Sequence, residues 1–130
     1  MAPFKPQKSW LRKFKNAARG IAVGIRGQNS FAVHLPVAIL VLAIGVICQV
    51  GISKLCCLLL CIALVITAEL INSSIESLAA AVTDQEDSRI RDSLDIASGA
   101  VLAATLFAVI VGLVILLPAI MKTFLSSVFS

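Results

Sequence analysis

Apolar residues gather in three long runs, Val33–Val50, Leu55–Val82 and Ile96–Ile120, and the segments between the runs are short and polar. A helix needs about 20 apolar residues to cross the ~30 Å hydrocarbon layer of a bilayer. The pattern predicts three spanning helices, over about 33–50, 55–82 and 93–118. Before the first run the period changes. Trp10, Phe14, Ala17, Ala18, Ile21 and Ile25 recur at three- and four-residue steps, with Arg12, Lys15, Arg19 and Arg26 between them. This predicts an amphipathic basic helix over 8–27, lying in the headgroup layer, behind a loose tail at 1–7.

The polar breaks set the connections. Gly27-Gln28-Asn29-Ser30 is expected to turn the chain into the membrane. His34 and Pro36 then start the first span, where proline costs little because first-turn N–H groups have no helical partner. His34 is read as an interfacial residue rather than a ligand. Gly51-Ile52-Ser53-Lys54 is read as a tight turn, which makes spans one and two an antiparallel hairpin. Asp84 to Asp87 form the polar loop before the third span, and no internal repeat is visible.

Composition agrees with the pattern. The 130 residues are 59% hydrophobic and only 14% charged, with a mean hydropathy of +1.02. An ordinary soluble domain is nearer half apolar and a quarter charged. The chain therefore reads as one all-α membrane domain over residues 1–130. The N-terminal polar stretch is too long for the basic start of a cleaved signal peptide. Cys48, Cys56, Cys57 and Cys61 lie in or beside apolar runs, with no metal-ligand spacing to a histidine, and read as small buried hydrophobes.

Charge placement adds orientation. Of the eleven Lys and Arg, Lys5, Lys8, Arg12, Lys13, Lys15, Arg19 and Arg26 all precede residue 33, where no acidic residue occurs. The positive-inside rule then predicts a cytoplasmic N-terminus, a cytoplasmic 83–95 loop and an external C-terminus. A basic helix also suits nucleic acid, but three spans following at once favour the membrane surface.

Within the second run stand Glu69, Asn72 and Glu76. Their i, i+3, i+7 spacing places them on one helical face. A carboxylate in a membrane helix costs roughly 2.5–3.5 kcal/mol on insertion scales, so such groups mark sites. Glu69 is about 20 Å along its helix from Leu55 and Glu76 about 10 Å further, which sets Glu76 at the cytoplasmic boundary and Glu69 deeper. Asp95 starts the third span on the same side. Small residues (Ala80, Ala97, Ser98, Gly99, Ala100 and Ala103) suit close helix contact in lipid.

Carboxylates beside a carboxamide suit Mg²⁺ bound with substrate phosphates, and a buried carboxylate suits a base for an attacking hydroxyl. No glycine-rich phosphate loop accompanies them. The residues alone fit either an enzyme site or a polar packing contact or ion path.

The stretch Glu69-Leu-Ile-Asn72-Ser73-Ser74-Ile75-Glu76 resembles the signature of the small integral-membrane lipid kinases of bacteria, the prokaryotic diacylglycerol kinase and undecaprenol kinase family. Phe14 to Ile21 resembles the family's amphipathic helix, and Asn29-Ser30-Phe31 with His34-Leu35 resembles the start of its first span. Asp95 to Ala104 resembles the start of its third span, and His34-Leu35 and Val109–Gly112 are closer to the undecaprenol branch. The resemblance implies a homotrimer with sites shared between neighbours, ATP as co-substrate, Mg²⁺ as cofactor and a membrane lipid alcohol as acceptor. It implies Glu69 as general base, Glu76 as ligand of the metal carried by ATP, Asn72 at phosphates or metal, and Asp95 in the nucleotide site. Gln28 stands where the family has a second metal-binding Glu, Leu94 where it has Lys, and Ala80 where it has Asp. Arg19, Arg89 or Arg91 are the candidates to replace the lost phosphate-facing charge, and an activity-impaired binding or assembly subunit is the alternative these changes raise.

Overall fold

The computed structural model describes residues 9–27, 29–82 and 87–129. Gln28, the 1–7 tail and most of the Asp84–Asp87 loop lie outside them. Four α-helices follow one another: α1 (Trp10–Gly27), α2 (Phe31–Ile47), α3 (Ile52–Val82) and α4 (Ser88–Val128). Helices are the expected form, because in lipid each backbone N–H and C=O must be satisfied within its own segment. Helices α3 and α4 are each long and apolar enough to cross a membrane, and the bent pair α1–α2 adds a third candidate.

Helix α1 ends at Gly27 as its polar break predicts, and α2 turns away from it at 104°. Arg12, Lys15 and Arg19 are exposed along it, and the Lys13 Nζ stands 4.8 Å from the centre of the Trp10 ring. It packs on α3 where Gly24 meets Leu70. A Cβ at Gly24 would come within 2.6 Å of the Leu70 Cδ2. Leu70 can swing away from a methyl group, but not from a branched side chain. Gly24→Val is therefore expected to undock α1, read as faster proteolysis of the N-terminal segment in a membrane preparation while Gly24→Ala stays resistant.

The α2–α3 turn differs from the sequence expectation. It lies at Cys48–Gly51, so α2 ends at Ile47 rather than Val50 and α3 begins at Ile52 rather than Leu55. Its closure is a Schellman motif: the Val50 N–H donates to the Gly45 carbonyl at 3.0 Å and the Gln49 N–H to the Val46 carbonyl at 3.0 Å. Gln49 takes the left-handed position, with φ 51°, that glycine usually fills. Without a glycine there, the stop was invisible. Pro36 also sits deeper than expected, because α2 begins at Phe31; past the first turn, the ring removes one N–H from the ladder.

Helix α4 exceeds its predicted span at both ends. Asp87 caps its start, its Oδ1 accepting from the Arg89 N–H at 2.8 Å. The Arg89 guanidinium beside it holds the Asp87 carboxyl below its usual value. At the other end the helix runs through Pro118 to Val128. Proline is tolerated inside membrane helices because neighbours and local adjustment satisfy the freed groups.

Helix α4 packs mainly on α3, and α2 covers part of both. Leu58, Ile115 and Leu116 form a buried cluster beneath Val41, Leu42, Ile44, Val50 and Val111, near the α2–α3 turn. Of the small residues expected at helix contacts, Ala97 is buried, while Ala80, Ser98, Gly99, Ala100 and Ala103 are exposed. Ala104, about two turns beyond Ala97, is the second buried alanine of α4. The remaining surface is strongly apolar, with Leu60, Ile96 and Phe107 each about two-thirds or more exposed. Such a surface calls for lipid or protein around it.

Candidate functional site

The hairpin register assembles the site. At ~1.5 Å per residue, Glu69 stands about 26 Å from the start of α3, while Ser30 and His34 stand about 20–26 Å back from the end of α2. Antiparallel helices joined by a tight turn must bring these three residues to one level. There the Ser30 Oγ donates to the Glu69 Oε2 at 3.0 Å, and the His34 Nε2 lies 3.1 Å from the Glu69 Oε1. Toward an ionised carboxylate, which only accepts, the His34 Nε2 is the donor in the tautomer that carries its proton there. Glu69 is 5% exposed.

These contacts explain how α3 tolerates a buried carboxylate. Placing it in the membrane costs roughly 2.5–3.5 kcal/mol on insertion scales. A hydrogen bond to a charged group returns about 1.5–3 kcal/mol, so two such donors offset the cost. Ser30 stands at the N-cap of α2 but makes no side-chain cap bond, because its hydroxyl is spent on Glu69. Ser73, buried one turn along, donates to the Glu69 backbone carbonyl at 2.8 Å and leaves the carboxylate alone.

Below this level lies a cavity of about 340 Å³ between α2, α3 and α4. His34, Val65, Ile66, Thr105 and Ile120 are among the residues of its wall. Its lining is almost wholly apolar. The Glu69 carboxylate stands behind His34, one hydrogen bond from this apolar slot, a setting that suits the hydroxyl of an amphiphile.

The end of the triad nearer the α3–α4 loop forms a second unit. Asn72 is buried, and its Nδ2 donates to the Glu76 Oε1 at 2.7 Å. That bond leaves the Asn72 Oδ1 buried with no protein donor. Glu76 is half-buried. The spacing prediction thus holds in part: the three residues share one face but divide into a Glu69 group and an Asn72–Glu76 group.

The other expected site residues stand apart. Asp95 and Arg19 are exposed, and no hydrogen bond or ion pair among the described residues joins either to Glu69 or Asn72. Gln28, expected as a metal ligand, lies outside the described residues. His34, read from the sequence as interfacial, is instead a direct partner of Glu69. Ser30 was read only as part of a break. The i, i+4 spacing of Ser30 and His34 was the available signal, but their partner is 35–39 residues away, and no local periodicity reports such a contact.

Comparison with known proteins decides the family. The family model for prokaryotic diacylglycerol kinase matches residues 15–116. The chain belongs to the prokaryotic diacylglycerol kinase family. Among curated proteins, it is similar to an undecaprenol kinase of Bacillus subtilis (strain 168), 30% identical over 109 residues, which cover 84% of this chain and 89% of that protein. No solved structure matches at a significant level. With its apolar helices and this family, the chain is an integral membrane protein.

Members of a kinase family raise the question of a metal. No group of three His, Cys, Asp or Glu able to hold a metal alone occurs among the described residues. Mg²⁺ needs less than that: one or two protein oxygens complete a shell made of phosphates and water. The Glu76 carboxylate and the orphaned Oδ1 of its neighbour Asn72 are hard oxygen donors, a donor type that fits an ion arriving with a nucleotide.

Proposed function

We propose that this chain is a lipid kinase that transfers the γ-phosphoryl group of ATP to the hydroxyl of a membrane lipid alcohol, with Mg²⁺. The observation that carries this reading is the buried Glu69 carboxylate, held one hydrogen bond behind the His34 side chain that lines an apolar cavity. Phosphoryl transfer asks of a protein mainly positioning, charge neutralisation and a base for the attacking hydroxyl. Glu69 is the base. The acceptor's chain lies in the cavity and its hydroxyl reaches the carboxylate. Glu76 and Asn72 hold Mg²⁺, which neutralises charge on the phosphates when bound. The two carboxylates, Glu69 and Glu76, are separated by about two helical turns, roughly 10 Å along α3, so the lipid and nucleotide sides do not compete for one group.

The N-terminus and the α3–α4 loop face the cytoplasm, where ATP is, in keeping with the basic residues of α1. The exposed positions of Asp95 and Arg19 support a site completed between copies, and the working unit is a homotrimer with nucleotide residues shared across its interfaces. Leu94 is half-buried beside Asp95 where the family has Lys. Leu94→Lys is expected to raise kcat/KM for ATP several-fold, as a phosphate-facing charge returns.

The experiment is purified protein in lipid with Mg²⁺ and γ-labelled ATP, supplied with undecaprenol or diacylglycerol in separate arms. Label in one lipid, dependent on Glu69, supports the reading and names the acceptor. A folded assembly that labels neither lipid overturns it in favour of a binding or assembly subunit.

A further inference from the structure

We propose that His34, together with Ser30, is a positioning residue for phosphoryl transfer: it clamps the Glu69 carboxylate in one orientation toward the acceptor hydroxyl. The inference rests on the reading of Glu69 as the base, and deepens it by naming what aims that base.

The geometry is a two-point hold. Ser30 donates to one carboxylate oxygen at 3.0 Å, and the His34 Nε2 stands 3.1 Å from the other, to which it donates in the tautomer protonated at Nε2. One donor would leave the carboxylate free to rotate about its last torsion. Two donors on separate oxygens, both from the same end of α2, fix its plane. Each oxygen keeps a lone pair for a further donor. His34 also lines the apolar cavity, so the group that aims the carboxylate forms the wall along which the acceptor arrives. Its side chain is 21% exposed against 6% for Glu69, which leaves the base dry and its holder at the edge.

The step balances without His34 changing its proton count. The acceptor O–H proton passes to a free lone pair of Glu69. The acceptor oxygen bonds to the γ-phosphorus, the bond from that phosphorus to the bridging oxygen breaks, and ADP leaves with the electron pair. Ser30 and His34 keep their own protons throughout. Glu69 then releases its proton to water at the headgroup layer. Because the clamp holds only the acceptor-side base, its loss acts on turnover and not on nucleotide binding.

The test compares wild type with His34→Leu, His34→Gln and Ser30→Ala in lipid, varying ATP at saturating acceptor. His34→Leu is expected to lower kcat on the order of 10- to 100-fold at unchanged KM for ATP, the scale of a misaligned reacting group. His34→Gln, whose amide N–H can replace the Nε2 donor, restores most of the rate. Ser30→Ala gives a smaller loss, again in kcat alone. Wild-type kcat in His34→Leu overturns the proposal, and so does a His34→Gln protein as slow as His34→Leu. Should His34→Leu fail to assemble, Ser30→Ala decides: a kcat loss at unchanged KM supports the clamp, and wild-type kcat overturns it. An infrared difference spectrum against Glu69→Gln reads the clamp without turnover. A carboxylate band that shifts in His34→Leu supports it, and an unshifted band sinks it. A wild type that labels no lipid sinks the kinase reading instead, whatever the band does.

Discussion

Glu69→Gln is expected to abolish lipid labelling, with a fall in kcat on the order of 10²- to 10⁴-fold, the usual contribution of a general base. Glutamine keeps the size and the single carbonyl acceptor of the side chain, so one of the two donors from α2 stays satisfied. The other meets an NH₂ group, which Ser30 or His34 can accommodate by turning its hydroxyl or changing tautomer. The fold and the cavity are therefore retained, and what is lost is the capacity to take a proton. The measurement is the initial rate of label transfer from γ-labelled ATP, with assembly followed by size-exclusion chromatography in detergent. ATP binding should be unchanged, since the amide lies about two turns from Glu76. A Glu69→Gln protein at wild-type rate would remove Glu69 from the chemistry.

Removing Glu76 is expected to act on the other substrate. Glu76→Gln takes away the carboxylate that fits Mg²⁺ and should lower kcat/KM for ATP by about 10²–10³-fold, the range for losing one preorganised electrostatic contact. Raised Mg²⁺ should recover part of that loss, whereas it should recover none of the Glu69→Gln loss. Asn72→Ala removes the Oδ1 donor and the 2.7 Å hydrogen bond to Glu76 together. The two residues are in contact, so the double variant should lose less than the sum of the single losses on a free-energy scale. Additive losses would show that Asn72 and Glu76 serve separate ligands. Equilibrium dialysis with Mg·ATP reads the same effect without turnover.

The two variants are expected to separate a lipid side from a nucleotide side, and the geometry behind that expectation is partly legible in the sequence. Glu69, Asn72 and Glu76 share a face because seven residues make nearly two helical turns, and a spacing survives whatever surrounds it. Their difference in depth followed from the rise per residue. Pairing was another matter. Asn72 to Glu76 is an i, i+4 contact of the kind a helix always offers. Ser30 and His34 on Glu69 depend on where α2 ends, and that end was misplaced by three residues because Gln49 holds the left-handed position without being glycine. Small residues misled in the same way: composition marks a stripe suited to contact, but only the packing of α4 on α3 selected Ala97 from it and buried Ala104 beyond it.

By itself the sequence determined that this is an all-helical membrane chain, where its apolar segments run, and which face of α3 carries the polar groups. Those properties are local, set by residue type and by the fixed period and rise of a helix. The tertiary structure alone decided which side chains hold the buried carboxylate, that the Asn72 Oδ1 is left over, and that an apolar cavity opens beside His34. Each of these depends on the register between helices, and a turn that shifts by one residue moves every such partner by about 1.5 Å along the axis and about 100° around it.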